Sequence, residues 1–263
     1  MLPKKSLGQN FLRSKSAIEK IILAGEISEN DKILEIGPGE GVLTEELLKK
    51  AGKVIAIEKD ERLISILQDK FAQEIQTNKL ELINEDALAI NASRYGLEYS
   101  KYKLIANIPY YITGEIIRKF HEEIDSPSMM VLMVQKEVAE RIAKDKKESV
   151  LSISVKIYGI PEYIATVKAG SFYPAPNVDS AILKISNINK SFFTTENVSE
   201  KEFFAVIKAG FLHKRKFLAR NLESIFDSNK INEVFSSIEL SNKSRAEDLN
   251  LEQWKKLIPS LIH

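Results

Sequence analysis

The chain has no cysteine, which removes disulfides, thiolate metal sites and cysteine nucleophiles together. Histidine is scarce: His121, His213 and His263 are too scattered along the sequence to suggest a metal site. No apolar run approaches the roughly 20 residues a membrane-spanning helix needs. The opening Met1-Leu2-Pro3-Lys4-Lys5-Ser6 has no apolar core of signal-peptide length behind it. Excess charge is also lacking, since a net charge of +1 does not make an indiscriminate polyanion binder. These absences lead us to expect a cytoplasmic protein with no membrane segment and no structural metal. What is present is 263 residues, 44% hydrophobic and 29% charged, enough for one large domain and a small one.

Charge is small in sum but uneven in place. Residues 1–20 hold Lys4, Lys5, Arg13, Lys15 and Lys20 against the single acid Glu19. The stretch from Lys208 to Arg220 holds Lys208, Lys214, Arg215, Lys216 and Arg220 with no acid, and acids concentrate between Glu26 and Asp69. Basic ends around an acidic middle suit a protein that lays selected surfaces on phosphates. Solvated helix faces of a Lys-rich protein would produce the same clusters.

From about Asp31 to Ile185, short β-rich runs alternate with amphipathic stretches. Residues 32–36, 54–58, 80–83, 103–106, 129–134 and 180–185 read as strands. Between them, 42–51, 61–71, 115–123 and 136–143 place apolar residues at helical spacing. Such alternation predicts a parallel sheet covered on both faces. After Asn187 the texture changes: 187–200 is polar and turn-rich, and 202–212, 217–225, 231–238 and 251–257 are helical patterns only. The division expected is 1–187, an α/β domain with a basic N-terminal segment, and 188–263, a small helical domain.

Gly37, Gly39 and Gly41, in Glu35-Ile36-Gly37-Pro38-Gly39-Glu40-Gly41, follow a strand and open a helix. Glycine serves where the backbone turns sharply and where a ligand must approach without meeting a Cβ. The G-x-G-x-G spacing differs from the dinucleotide fingerprint, and no Lys-Ser/Thr follows as in a P-loop. Glu58, ending the next strand, would stand at the same sheet edge, where a carboxylate can accept both ribose hydroxyls of a nucleoside cofactor. Asp86, after the third strand, is placed to accept from an adenine amino group. Asn107-Ile108-Pro109-Tyr110-Tyr111 follows the fourth strand on that rim. An adenine amine is a poor nucleophile, because its lone pair is delocalised into the ring. The Asn107 carboxamide oxygen and a backbone carbonyl at Ile108 or Pro109 can each accept one N–H, favouring a pyramidal nitrogen whose lone pair points outward. Pro109 constrains the turn, and Tyr110 offers a flat face for the base. Donor cradle and acceptor cradle together indicate methyl transfer from S-adenosylmethionine to an adenine amine, by alignment rather than by a general base. Phe172, ahead of Tyr173-Pro174-Ala175-Pro176, is a second aromatic candidate. It would either close on the base from the face opposite Tyr110 or serve as a core aromatic under a Pro-rich loop.

These residues, with Ser6-Leu7-Gly8-Gln9-Asn10-Phe11-Leu12, Ile57-Glu58-Lys59, Glu85-Asp86-Ala87, Val134-Gln135-Lys136-Glu137-Val138-Ala139 and the Phe172 segment, carry a resemblance along nearly the whole length. The chain resembles the KsgA-type small-subunit rRNA adenine dimethyltransferases. The resemblance implies a seven-stranded Rossmann-like class I methyltransferase sheet with a small all-helical C-terminal domain. It implies that Asn10, Leu12 and Glu35 join Gly37, Gly39, Gly41, Glu58, Asp86 and Asn107 at the cofactor, and that Phe172 stacks on the target base. The substrate it implies is a pair of adjacent adenines in the hairpin loop near the 3′ end of 16S-type rRNA, each methylated twice on N6. The enzyme would act on the immature small subunit as a monomer. The segment 211–222 and Arg245-Ala246-Glu247-Asp248-Leu249 resemble the family's C-terminal domain, with Lys208, Lys214, Arg215, Lys216 and Arg220 as its RNA contacts. Two positions depart from the family: Tyr111, where many relatives carry Asn, and Phe217, where Thr is common.

Three alternatives stay open on the sequence. A large-subunit resistance methyltransferase shares the catalytic motifs, but its C-terminal domain differs. DNA adenine methyltransferases usually carry Pro where this chain has Ile108. An assembly or nucleic-acid-binding factor with secondary methyl transfer is the reading from another class.

Overall fold

A computed structural model describes residue 4, residues 8–123 and residues 125–263. Met1 to Pro3, Lys5 of the basic start and Ser6-Leu7 of the opening motif lie outside the described residues. The chain forms two compact units, residues 1–140 with 159–189, and residues 141–158 with 190–263.

In chain order the elements are β1 (Phe11–Leu12), α1 (Lys15–Ala24), β2 (Lys32–Ile36), α2 (Val42–Lys50), β3 (Lys53–Glu58), α3 (Glu61–Lys70), α4 (Ala72–Gln76), β4 (Leu80–Asn84), β5 (Lys103–Asn107), α5 (Thr113–Glu122), β6 (Met129–Gln135), α6 (Lys136–Ala143), α7 (Val150–Lys156), β7 (Ile160–Val167), β8 (Phe172–Tyr173) and β9 (Ser180–Ser186). The helices α8 (Ser191–Thr195), α9 (Glu200–Gly210), α10 (Leu218–Leu222), α11 (Ser228–Ser237) and α12 (Leu251–Ile262) follow.

Seven strands make one sheet in the order β4-β3-β2-β5-β6-β9-β7. The central strands are apolar at successive positions because both faces are covered: Ile33, Leu34, Val54, Ile55, Ala56, Leu104 and Ile105 are fully buried. Strands β4 to β6 run parallel through β3, β2 and β5, as the alternation predicts. The last strand departs from that expectation, since β9 lies antiparallel to both β6 and β7. A parallel return needs a crossover, usually a helix; residues 168–179 carry only a 3-10 turn and the two-residue β8, so the chain comes back reversed. Strand β7 did not show in the sequence pattern. It is an edge strand, partly exposed along most of its length and opened by Ile160-Pro161, so its apolar pattern is weak.

The second unit packs around Trp254, which is fully buried and stacks on Phe211 at 5.9 Å. Reciprocal caps start α9, through Ser199 with Glu202, and α12, through Asn250 with Gln253. The segment 141–158 belongs to this unit although no composition shift marks it. Its Tyr158 hydroxyl donates to Glu200 at 2.7 Å, its ring lies 5.4 Å from Phe193, and the Glu148 N–H donates to the Glu247 carbonyl. Among the described residues, no helix is long and apolar enough to cross a membrane.

Candidate active site

Four neighbouring parallel strands end on one edge. Their register aligns Ile36 with Ile57 and Ala106, and Glu58 with Asn84. The segments that follow, carrying Gly37, Glu58, Asp86 and Asn107, are therefore brought to one rim, with strands about 4.8 Å apart. There they surround a cavity of about 310 Å³. Asn10, Gly37, Gly39, Glu58, Asp86, Asn107, Pro109 and Tyr110 all line it.

The glycine loop leaves β2 and enters α2. A Cβ on Gly39 (φ 59°) would lie 2.9 Å from the Phe11 ring, so the loop closes on the N-terminal segment only without one. Gly41 answers to a different pressure. It caps α2 in the left-handed region (φ 76°), and a Cβ there would lie 2.6 Å from the Phe71 ring and 2.8 Å from Leu67. It is absent from the cavity wall, so Gly41 is placed by packing rather than by ligand approach.

Glu58 is buried. Its Oε1 accepts the Asp60 N–H at 2.8 Å and its Oε2 the Gly39 N–H at 3.3 Å, tying the acid to the glycine loop. Burial raises its carboxyl above the ordinary value, and those backbone donors oppose the rise. Asp86 is more open. Its ion pair with Lys59 at 2.7 Å and the Leu88 N–H at 3.0 Å hold its carboxyl low. Asp60 anchors the N-terminal segment across the edge, accepting from Gln9 at 3.0 Å and Lys4 at 3.3 Å; Arg62 and these donors depress its carboxyl strongly.

Asn107 ends β5. Its Nδ2 donates to the Asn10 carbonyl at 3.2 Å, while Oδ1 has no partner among the described residues. The bond orients the amide and keeps an acceptor free. In the turn that follows, the Pro109 carbonyl accepts the Ile112 N–H at 3.2 Å. Of the two carbonyls considered from sequence, Ile108 is the one the turn leaves open. Tyr110 is half-buried, and its hydroxyl shares a 2.5 Å hydrogen bond with Ser180, the buried first residue of β9. Burial raises its phenol.

Three further expected residues stand apart from this cavity. Leu12 and Glu35 line a separate chamber of about 30 Å³ behind the glycine loop, which Asn107 also borders. Glu35 is 1% exposed, and among the described residues neither its oxygens nor the buried Thr44 hydroxyl reaches a partner in good hydrogen-bonding geometry. Burial pushes its carboxyl up to about 8, with nearby Thr44 opposing. Phe172 is 5% exposed, pairs with Leu12 in the β1–β8 ladder and belongs to the apolar core. The wall is reached instead by residues the sequence reading did not assign: Phe11, Ile57, Ala87 and Leu88 as apolar surface, and Tyr111 with Glu115 beside the turn. Ile57 and Ala87 adjoin Glu58 and Asp86, so adjacency to the strand-tip acids was the available signal.

In the second unit, Lys208, Lys214, Arg215, Lys216 and Arg220 are all exposed. Arg220 pairs with Glu223 at 3.0 Å, so the acid-free run is met by an acid one turn on. The other four form no ion pair among the described residues.

Comparison with known proteins adds to this geometry. The family model described as ribosomal RNA adenine dimethylase matches residues 2–263. A ribosomal RNA small subunit methyltransferase A of Dehalococcoides mccartyi is 42% identical over 257 residues, covering 97% of this chain and 87% of the relative. One from Fusobacterium nucleatum is 40% identical, covering 97% and 96%. The crystal structure of a dimethyladenosine transferase from Plasmodium falciparum superposes with a TM-score of 0.80 at 30% identity, over 94% of this chain and 95% of that one. The 23S rRNA methyltransferase ErmE, at a TM-score of 0.75 and 23% identity over 97% of this chain and 100% of its own, shares the fold.

Proposed function

Because the chain belongs to the ribosomal RNA adenine dimethylase family, we propose that it transfers methyl groups from S-adenosylmethionine to N6 of two adjacent adenosines. These lie in the 3′-terminal hairpin loop of 16S rRNA, and each receives two methyl groups. The observation that carries this reading is Asn107, held by Asn10 in the wall of the cavity with its carbonyl oxygen uncommitted.

The residues present suit the methyl donor. The cavity is of nucleoside size, its rim offers a buried carboxylate at Glu58 and a half-buried one at Asp86, and no Cβ projects from Gly37 or Gly39. When bound, S-adenosylmethionine supplies a methyl group on a positively charged sulfur. Glu58 would accept ribose hydroxyls through lone pairs that Gly39 and Asp60 leave open. Asp86 would accept from the amino group of the cofactor's adenine, with Ile57, Ala87 and Leu88 as the apolar wall for its ring.

On the acceptor side, Asn107 Oδ1 and the Ile108 carbonyl each take one N6–H, and Tyr110 stacks on the base with its ring anchored by Ser180. These two bonds would leave the nitrogen lone pair turned towards the methyl group that bound S-adenosylmethionine would supply, with water taking the proton released. Phe172 would have to leave the core cluster to reach the base, so Tyr110 is the stacking partner in this reading. An adenine in a loop is already unpaired, which lowers the cost of drawing it into such a cavity. Lys208, Lys214, Arg215 and Lys216 hold rRNA phosphates of the immature small subunit. The protein works in the cytoplasm as a single chain.

The test is incubation with labelled S-adenosylmethionine and small subunits lacking the modification, followed by nucleoside mapping. Label in N6,N6-dimethyladenosine of the 3′-terminal hairpin is the expected result. Label confined to large-subunit RNA overturns it.

A further inference from the structure

Two tyrosines follow Pro109, and they have opposite environments. Tyr110 is half-buried with its hydroxyl tied to Ser180, whereas Tyr111 is 62% exposed and its hydroxyl has no partner among the described residues. Both border the same cavity. They occupy one 3-10 turn, residues Tyr110–Ile112, where successive side chains diverge by about 120°. One edge of the Tyr111 ring rests against Gly8: a Cβ at that glycine (φ 61°) would lie 3.2 Å from Cε1 and 3.3 Å from Cδ1. Most of the residue is open to solvent. The Lys59 ammonium is near enough to feel the phenol, but Asp86 holds it.

A nucleotide drawn into the cavity brings its covalent neighbour to the mouth, where it has lost one stacking partner. An exposed aromatic face at that point can replace the lost partner without regard to sequence. We propose that Tyr111 is this second platform, receiving the base next to the one being methylated. The assignment rests on the RNA methyl-transfer reading above and deepens it: the enzyme grips a dinucleotide, one base per tyrosine. Tyr111 is thus a substrate-binding residue outside the reacting centre, acting on capture of RNA rather than on the methyl-transfer step.

Steady-state kinetics on undermethylated small ribosomal subunits, with calorimetric titration of S-adenosylmethionine, tests it. Tyr111→Ala should raise KM for the subunits about tenfold while kcat and the cofactor Kd stay within twofold of wild type. Tyr111→Phe should restore the wild-type KM, since the ring and not the hydroxyl is used. An unchanged KM in Tyr111→Ala overturns the proposal, as does failure of Tyr111→Phe to restore it, or a defect that tracks weaker cofactor binding. A wild-type protein that leaves these subunits unmethylated would remove the underlying reading itself, a result distinct from any of those.

Discussion

At Glu35 a carboxyl group is buried, and the nearby Thr44 hydroxyl only partly opposes the cost of charging it. Its folded-state value, about 8, lies far above the ordinary 4.5. Between those values the folded chain keeps a proton that the unfolded chain releases, so this group's contribution to stability is present below about 4.5 and is lost as pH rises towards 8. A tenfold difference in acidity between the two states corresponds to about 1.4 kcal/mol, making the loss on the order of a few kcal/mol. Thermal melts should show Glu35→Gln losing less stability than wild type between about pH 5 and pH 8; parallel pH profiles would contradict this account. Asn107 is the other decisive single residue. In the reaction proposed, Asn107→Ala takes away an acceptor for the reacting nitrogen and should lower kcat roughly a hundredfold or more, on the scale of losing one preorganised hydrogen-bonding group. Binding of the variant to undermethylated subunits, measured by co-sedimentation, should persist.

At the scale of elements, the joint between β2 and α2 combines two demands on glycine. Gly39 lets the loop approach Phe11 and the cavity; Gly41 lets α2 begin against Phe71 and Leu67. Gly41→Ala puts a side chain into a left-handed backbone and into a ring at once. It should destabilise by roughly 1–3 kcal/mol in denaturant melts, the range of overpacking, while cofactor affinity in the folded fraction changes little. Equal stability would mean that the joint yields more easily than the packing implies. This joint also shows what could be read in advance. Strands with both faces covered, such as β3 and β5, announced themselves as unbroken apolar runs, and the acids and amide at their tips followed from strand direction. A glycine placed by packing looks the same in sequence as one placed by a ligand, because both demands remove a Cβ. Phe172 shows the same ambiguity: an aromatic before two prolines fits a lid or a core, and here it lies buried beside Leu12. Edge strand β7 and the reversal of β9 were hidden, because a half-exposed strand has no continuous pattern and strand direction is set by the connection.

Over the whole molecule, charge rather than shape separates the two chemistries proposed, with the rim acids Glu58 and Asp86 in the first unit and Lys208, Lys214, Arg215 and Lys216, which form no ion pair among the described residues, in the second. Replacing Lys214, Arg215 and Lys216 together by Ala should weaken subunit binding at every salt concentration tested. The log–log salt slope should fall by about one for each phosphate that the variant no longer neutralises. Filter binding across a salt series measures both, and an unchanged slope would mean these cations never meet phosphate. The three chain passages at 140/141, 158/159 and 189/190 carry a consequence for ancestry and engineering alike. A chimera that exchanges only the tail after residue 189 would match a foreign helical unit to the resident 141–158 insert, whose Tyr158 and Glu148 contacts were shaped by another tail. Recombination between relatives is therefore expected to succeed when both stretches travel together, as if one gene fragment had been inherited in two instalments.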